Sequence, residues 1–405
     1  MVLELSGRVG YRQPLTKAYR KIGFFFILKY QNMRLLIFIF FFTQLAYSQQ
    51  ITTTEWSKLI PSAAIPKNLK IKHSNNNIDL AFYNNKFYMA FRTAPNHFAS
   101  RKTKIYIISS TNLQTWDYET EFFVKADMRE PRFLVYKNLL YFYFFEGGKK
   151  PLKFQPKHIW ATYTNGNKLW ANKQNINLNG YVPWRLKVRN DTAYLSAYYG
   201  VDLYKNNHKA ELRLFYTTDG LDFQPVSTQP QIVSKGAEEG EFDFDQQGNL
   251  WATIRLEGSG SFVVFADKDN LADWKTTFSR KKYDSALMFH HKGECYVIAR
   301  RHLGNNGDAT NVENPNKTQR RRNLIRYSFS KKRTALYKLD KQMMQLAHIQ
   351  DFPSCGDNAF PALAPINENS YLLLNYSNDF NKKDKKWIFG QLSKTYIYYT
   401  ILTFP

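Results

Sequence analysis

The chain has 405 residues, 43% apolar and 17% aromatic, with a formal net charge of +24 and a mean hydropathy of −0.51. That length admits one large β domain or two ordinary ones, and the aromatic bias favours strands over helices. The negative hydropathy excludes a polytopic membrane protein. The lack of helix-turn-helix, zinc-finger or RNP patterns argues against a nucleic-acid partner despite the charge.

The segment from Met33, "MRLLIFIFFFTQLAYSQQ", reads as an export signal. A positive charge at Arg34 precedes an apolar run over Leu35–Phe42, and Ala46-Tyr47-Ser48 has the small-residue spacing of a cleavage site. The expected mature chain starts at Gln49, in a periplasmic or extracellular compartment, and residues 1–32 form an upstream extension. An uncleaved anchor is the alternative, because the run at 24–30 lengthens the apolar region. Residues 49–405 are expected to form one domain.

From there on the chain repeats. "STNLQTW" (Ser110–Trp116), "TNGNKLW" (Thr164–Trp170), "TTDGLDF" (Thr217–Phe223) and "KDNLADW" (Lys268–Trp274) end in aromatics about fifty residues apart, the period of propeller blades. Each unit supplies a strand, a turn, a strongly apolar strand, and a third strand leading into the short motif. Units five and six are more degenerate. Unit five breaks off after "CYVIARR" into a long insertion whose charge run, Lys317 to Arg322, reads as an exposed loop. Unit six reads as "FPALAPI", "SYLLLNYS" and "WIFGQLS". The segment "TTEWSKLI" is placed to close the ring on the last unit. The expected fold is all-β, a six-bladed β-propeller, with five blades as the alternative.

Cys295 and Cys355 are the only cysteines. Export permits a disulfide between them, and two buried thiols are equally compatible. Neither they nor the histidines have metal-site spacing, and no phosphate loop or Gly-x-Ser-x-Gly elbow occurs. No metal and no cofactor are expected.

The short motifs resemble degenerate Asp-boxes of the sialidase-like superfamily. "EEGEFDFDQQGNLWATIR" (Glu238–Arg255) resembles the sialidase segment in which a Glu precedes a strand, a Gly turn follows, and an Arg ends the next strand. Glu239, Gly248 and Arg255 stand at the matching places. The resemblance implies that Glu239 polarises a nucleophilic Tyr and that Arg255 grips a sugar carboxylate. Three positions depart from the family. Asn77 stands near the place of the first-blade Arg, the acid loop Pro95–Thr103 holds no carboxylate, and Phe360 stands near the place of the Tyr.

In an antiparallel blade the start of the first strand and the end of the second share one rim. Blade by blade those positions collect Asp79 and Arg92; Asp127, Arg129, Glu130, Arg132 and Glu146; Arg185, Tyr198 and Tyr199; Glu238, Glu239 and Arg255; Asp284, Arg300, Arg301 and His302; and Asp357, Asn375 and Tyr376. Paired carboxylates among arginines suit glycoside chemistry. The expected catalytic set is Glu239 with Asp127, Asp284 or Asp357 as the partnering acid. The expected substrate contacts are Arg92, Arg132, Arg185, Tyr199, Arg255, Arg300 and Arg301. These residues point to an exported, sialidase-like glycoside hydrolase for an acidic or highly hydroxylated glycan. A non-catalytic glycan-binding propeller is the alternative, and a structural propeller the third reading.

Overall fold

A computed structural model describes residues 50–150, 154–201 and 209–405. The expected signal segment and cleavage site lie outside the described residues. Six antiparallel sheets make a six-bladed β-propeller. Each blade's innermost strand packs on the next, and the last packs on the first. These six strands, in order, are Ser74–Tyr83, Met128–Tyr136, Tyr181–Arg189, Ala237–Phe244, Asp284–His291 and Asn358–Pro365. Blade 6 is closed from the other end of the chain, because Thr52–Thr53 and Ser57–Ile60 both pair with Tyr396–Thr403. Closure buries the edges that an open sheet would expose.

The repeating aromatics follow one turn chemistry. In blade 1, Ser110 Oγ accepts the amide of Leu113 at 2.8 Å, and Asn112 Oδ1 accepts those of Gln114 and Thr115 at 2.9 Å. In blade 3, Thr217 Oγ1 accepts the Gly220 amide at 3.0 Å, and Asp219 Oδ1 accepts Leu221 and Asp222 at 2.8 Å. A short polar side chain at the third place pins the turn whether it is Asn or Asp. Trp116, Phe223 and Trp274 then drop into the core.

Two segments differ from the sequence expectation. Lys317–Ser328 is a helix, α1, not a loop. Its start is a capping box in which Asn316 and Gln319 satisfy each other's amides. Trp387–Gln391 is a short helix, α2, not a strand; the third strand of blade 6 is Tyr396–Thr403. Gly390 allows α2 to lie against the backbone of blade 6, since a Cβ there would come within 2.2 Å of the Asp357 amide nitrogen. Cys295 and Cys355 are free buried thiols, and burial pushes that of Cys355 up to about 11.

Candidate functional site

Each innermost strand carries a register shift near its first residues, at the mouth of the central channel. The shifts fall at 76/78, 129/132, 183/185, 238/241, 284/287 and 359/362. A bulge leaves a residue outside the ladder and re-aims its side chain. At five of the six places that residue is left-handed and not glycine: Asn77 (φ 43°), Glu130 (50°), Glu239 (52°), Ser285 (50°) and Phe360 (49°). All five line one cavity of about 200 Å³. Such backbone costs of order 1–3 kcal/mol per residue and persists where the surroundings enforce it.

Below the cavity the bulges are stitched together by charge. Asp79 Oδ2 accepts the Phe133 amide of the next blade at 2.7 Å. Glu241 Oε1 accepts the Met288 amide at 3.0 Å. Arg185 joins the two acids across the channel, with Nε 2.8 Å from Glu241 Oε2 and Nη1 3.2 Å from Asp79 Oδ1. The amides are thereby satisfied without water, and Arg185 is held beneath the cavity, not in its lining.

The fourth blade supplies a hub. Arg255, at the end of its second strand, meets four carboxylates: Glu239 (2.5 Å), Glu238 (2.6 Å), Glu257 (3.1 Å) and Asp284 (3.6 Å). Lys282 adds a second cation, 2.7 Å from Glu257 and 3.5 Å from Asp284. Glu239 is also fixed by the Ser285 amide at 2.7 Å. Burial pushes Glu238 up to about 8 against the pull of Arg255, with Glu257 and Glu239 adding to the rise. Glu257 goes the other way. Burial would raise it, but Lys282 and Arg255 outweigh that and hold it at about 2.

Glu130 lies on the corresponding bulge of blade 2. Its Oε1 accepts from Asn77 Nδ2 at 3.1 Å, and Arg132 reaches Oε2 only at 3.4 Å. Burial pushes this carboxyl up to about 7; Arg132 opposes the shift and Glu239 reinforces it. Glu130 was among the rim charges legible in the sequence but outside the expected catalytic set. The readable signal was its follower: Pro131, Gly240 and Pro361 directly succeed the bulge residues Glu130, Glu239 and Phe360.

The other expected acids lie behind something else. Asp127 does not line the cavity. It is clamped by Arg92 (2.7 Å), Arg129 (2.6 Å) and Thr103 (2.8 Å). Asp357 is wholly buried and bonded to His97 Nδ1 at 2.7 Å, the Trp387 indole at 3.2 Å and Tyr376 Oη at 3.1 Å. Burial would raise it, but His97 outweighs that and holds it low. Asp284 sits at the cavity edge, hydrogen-bonded to the hydroxyl of Tyr327 from α1. So His97, from the loop that lacks a carboxylate, and Tyr327, from the insertion, stand in the cavity in front of Asp357 and Asp284.

The expected substrate contacts divide in the same way. Arg255 and Arg300 line the cavity. Arg92 and Arg132 are buried outside the lining, Arg132 against the carbonyl of Trp184 and the rings of Trp184 and Phe360. Arg301 points to the opposite face and pairs with Asp351 at 2.7 Å. Tyr199 packs on Tyr181, while its neighbour Tyr198 lines the cavity. Both displacements follow from strand alternation, which sends successive side chains to opposite faces. Among the described residues no group of His, Cys, Asp and Glu is arranged to hold a metal ion.

The ring is similar to many solved structures. A Dyadobacter fermentans protein of unknown function superposes with a TM-score of 0.63 at 12% identity, over 88% of this chain and 99% of that one. Trypanosoma rangeli sialidase gives 0.60 at 10%, over 87% and 59%. The Hadza microbial sialidase Hz136 gives 0.53 at 12%, over 82% and 66%. The chain therefore has a sialidase-like fold, and it spans less than two thirds of either sialidase. At these identities the likeness concerns the fold alone. No family model matches the sequence, and no curated protein matches it.

Proposed function

We propose that the protein is an exported glycoside hydrolase that acts on an acidic or highly hydroxylated glycan. The observation that carries this reading is the pairing of Glu130 and Glu239. They are buried carboxyls on equivalent bulges, in one cavity, and the charge of one raises the other. Glycoside cleavage needs one carboxyl that is protonated and one that is not. Glu130, at about 7, is the proton donor to the leaving oxygen. Burial raises Glu239 as well, against the pull of Arg255 and the Ser285 amide that orient it; in its ionised form it attacks the anomeric carbon or takes a proton from the attacking water. In the first case the glycosyl–Glu239 ester is hydrolysed by water, and the Glu130 carboxylate receives that water's proton. Arg300 and Lys282 offer donors to the sugar, the Tyr327 oxygen offers an acceptor, and Trp387 and Phe154 offer faces on which it can stack.

A screen of aryl glycosides and released glycans tests the proposal, with Glu130→Gln and Glu239→Gln as controls. Turnover by the parent that both substitutions abolish is the expected result. Turnover that survives both would remove these carboxyls from the mechanism. The binding-module alternative has one observation in its favour, the enclosure of Arg255 by four carboxylates. It predicts glycan binding without turnover, in the parent and both variants alike. Export is tested by sequencing the N-terminus of secreted material. Gln49 is expected, and an intact Met1 or Met33 would contradict it.

A further inference from the structure

Helix α1 is fastened to the propeller largely by polar side chains. Three of them reach the protein: Arg320 donates to the carbonyls of Lys235 and Glu257, Asn323 to that of Gly258 at 3.0 Å, and Arg326 to that of Ala309 at 2.6 Å. Tyr327 turns inward, but Ile325 is 52% exposed and Phe329, just past the helix end, is 49% exposed. A helix that packs on a core and faces water usually turns its large apolar side chains inward, so the exposed Ile325 and Phe329 stand out. Helix α2 extends the same surface. Phe389 is 51% exposed with its ring 6.2 Å from that of Phe329, and Leu392 is 61% exposed.

This apolar surface stands in a basic field. Residues 317–333 hold eight Lys or Arg and no acid, and residues 382–394 hold five Lys and one acid. Those thirty residues carry a formal +12; Lys332 is buried and Arg320 and Arg326 are turned to the protein, and Lys317, Arg321, Arg322 and Lys331 stand exposed. The Lys386 ammonium lies 5.8 Å over the Phe329 ring. The surface also adjoins the cavity, since Tyr327 and Trp387 line it from the same two helices.

We propose that this outer face of α1 and α2 docks on an anionic lipid surface. Exposed Phe, Ile and Leu side chains enter the headgroup boundary while the surrounding Lys and Arg meet the lipid charges. Charge complementarity selects the occupant. A second copy of the chain would bring the same excess of cations against itself, and a soluble polyanion would leave the apolar side chains without a partner. No helix among the described residues is long and apolar enough to cross a membrane, so the contact is peripheral. The cavity would then open beside the bilayer, where lipid-anchored glycans are held. The docking itself does not depend on any catalytic reading.

The test is co-sedimentation of the full chain with phosphatidylcholine vesicles, with and without an added anionic phospholipid. Two variants complete it: Phe329→Ser with Phe389→Ser, and Arg321→Gln with Arg322→Gln. Sedimentation with the anionic vesicles only is expected, and each double variant should weaken it by at least about tenfold while melting like the parent. The proposal falls if anionic vesicles do not sediment the protein. It also falls if the aromatic variant binds them as well as the parent, which is the behaviour of simple charge adhesion. Dextran sulfate separates the lipid from an acidic polymer. Equal loss of polymer binding in the aromatic variant would make the polymer the occupant and overturn the proposal.

Discussion

Glu130 and Glu239 occupy the same left-handed bulge position in blades 2 and 4, and the charge on Glu239 reinforces the rise of Glu130 to about 7. This relation has a signed consequence for stability. A free Glu titrates near 4.3, so the folded state holds this proton more tightly than the unfolded chain does. The contribution of Glu130 is complete below about 4.3 and is lost as pH rises through about 7. Glu130→Gln should therefore melt no lower than the parent at pH 8, where the parent buries a charge, and should lower turnover by at least about a hundredfold. Melting curves at pH 5 and pH 8, read beside turnover, check both halves. A variant that melts well below the parent at pH 8 would show that the charge of Glu130 supports the fold.

Glu239 and Arg255 are partners of unequal weight. Removing one charge from Glu239 leaves Arg255 with Glu238, Glu257 and Asp284. Removing Arg255 leaves the buried Glu238, Glu239 and Asp284 and the half-buried Glu257 to share Lys282 and Arg300. Breaking a buried pair costs about 3–5 kcal/mol when it strands a charge. Arg255→Met should lose at least that much stability, and Glu239→Gln about 1 kcal/mol or less by comparison, as when a hydrogen bond is altered without stranding an ion. Denaturant midpoints of the two variants decide it. Equal losses would mean that Glu239 alone balances Arg255.

The propeller was legible because its signal is a period. Four aromatics about fifty residues apart survive even where the Asp-Gly chemistry of the turns has decayed, since Asn112 makes the same turn bonds as Asp219. The side chains at the rim were less legible. One inserted residue in each bulge flips the phase of the alternation that follows. At the ends of the second strands plain alternation has the same effect, and a reading of charges there captured Arg300 with Arg301, though only Arg300 lines the cavity. The roles of His97 and Tyr327 were not legible. They arrive from a loop and an insertion, and only the folded ring brings them to Asp357 and Asp284. The helical state of α1 was readable from Asn316 and Gln319, but its charge run favoured a loop.

Arg185 is a structural ion, by its position. It neutralises Glu241 and Asp79 below the cavity, and all three are buried. Arg185→Met would leave two carboxylates of neighbouring blades without their shared cation. The expected cost is at least about 3–5 kcal/mol at neutral pH, with partial recovery in acid as the carboxyls take up protons. Thermal unfolding at pH 7 and pH 4 reads both effects. A fully stable variant with weakened substrate binding would instead place Arg185 in contact with substrate.

Lys332 gives the opposite sign to Glu130. Its ammonium is buried, 3.7 Å over the Tyr327 ring and 2.6 Å from the Tyr327 carbonyl oxygen. Burial lowers it to about 6; Asp284 opposes the shift, and Arg300 and Lys282 add to it. The unfolded side chain titrates near 10.4. The folded state therefore resists the proton, and this contribution to stability is complete above about 10.4 and lost as pH falls through about 6. Between pH 7 and pH 8.5 the parent should gain stability from Lys332 as pH rises, while Glu238, at about 8, works against that gain. The difference between parent and Lys332→Met removes the Glu238 term. The variant should melt higher at pH 7, and its advantage should shrink by pH 8.5. A difference that stays constant across that window would mean that Lys332 holds its proton in the folded chain, balanced by Asp284.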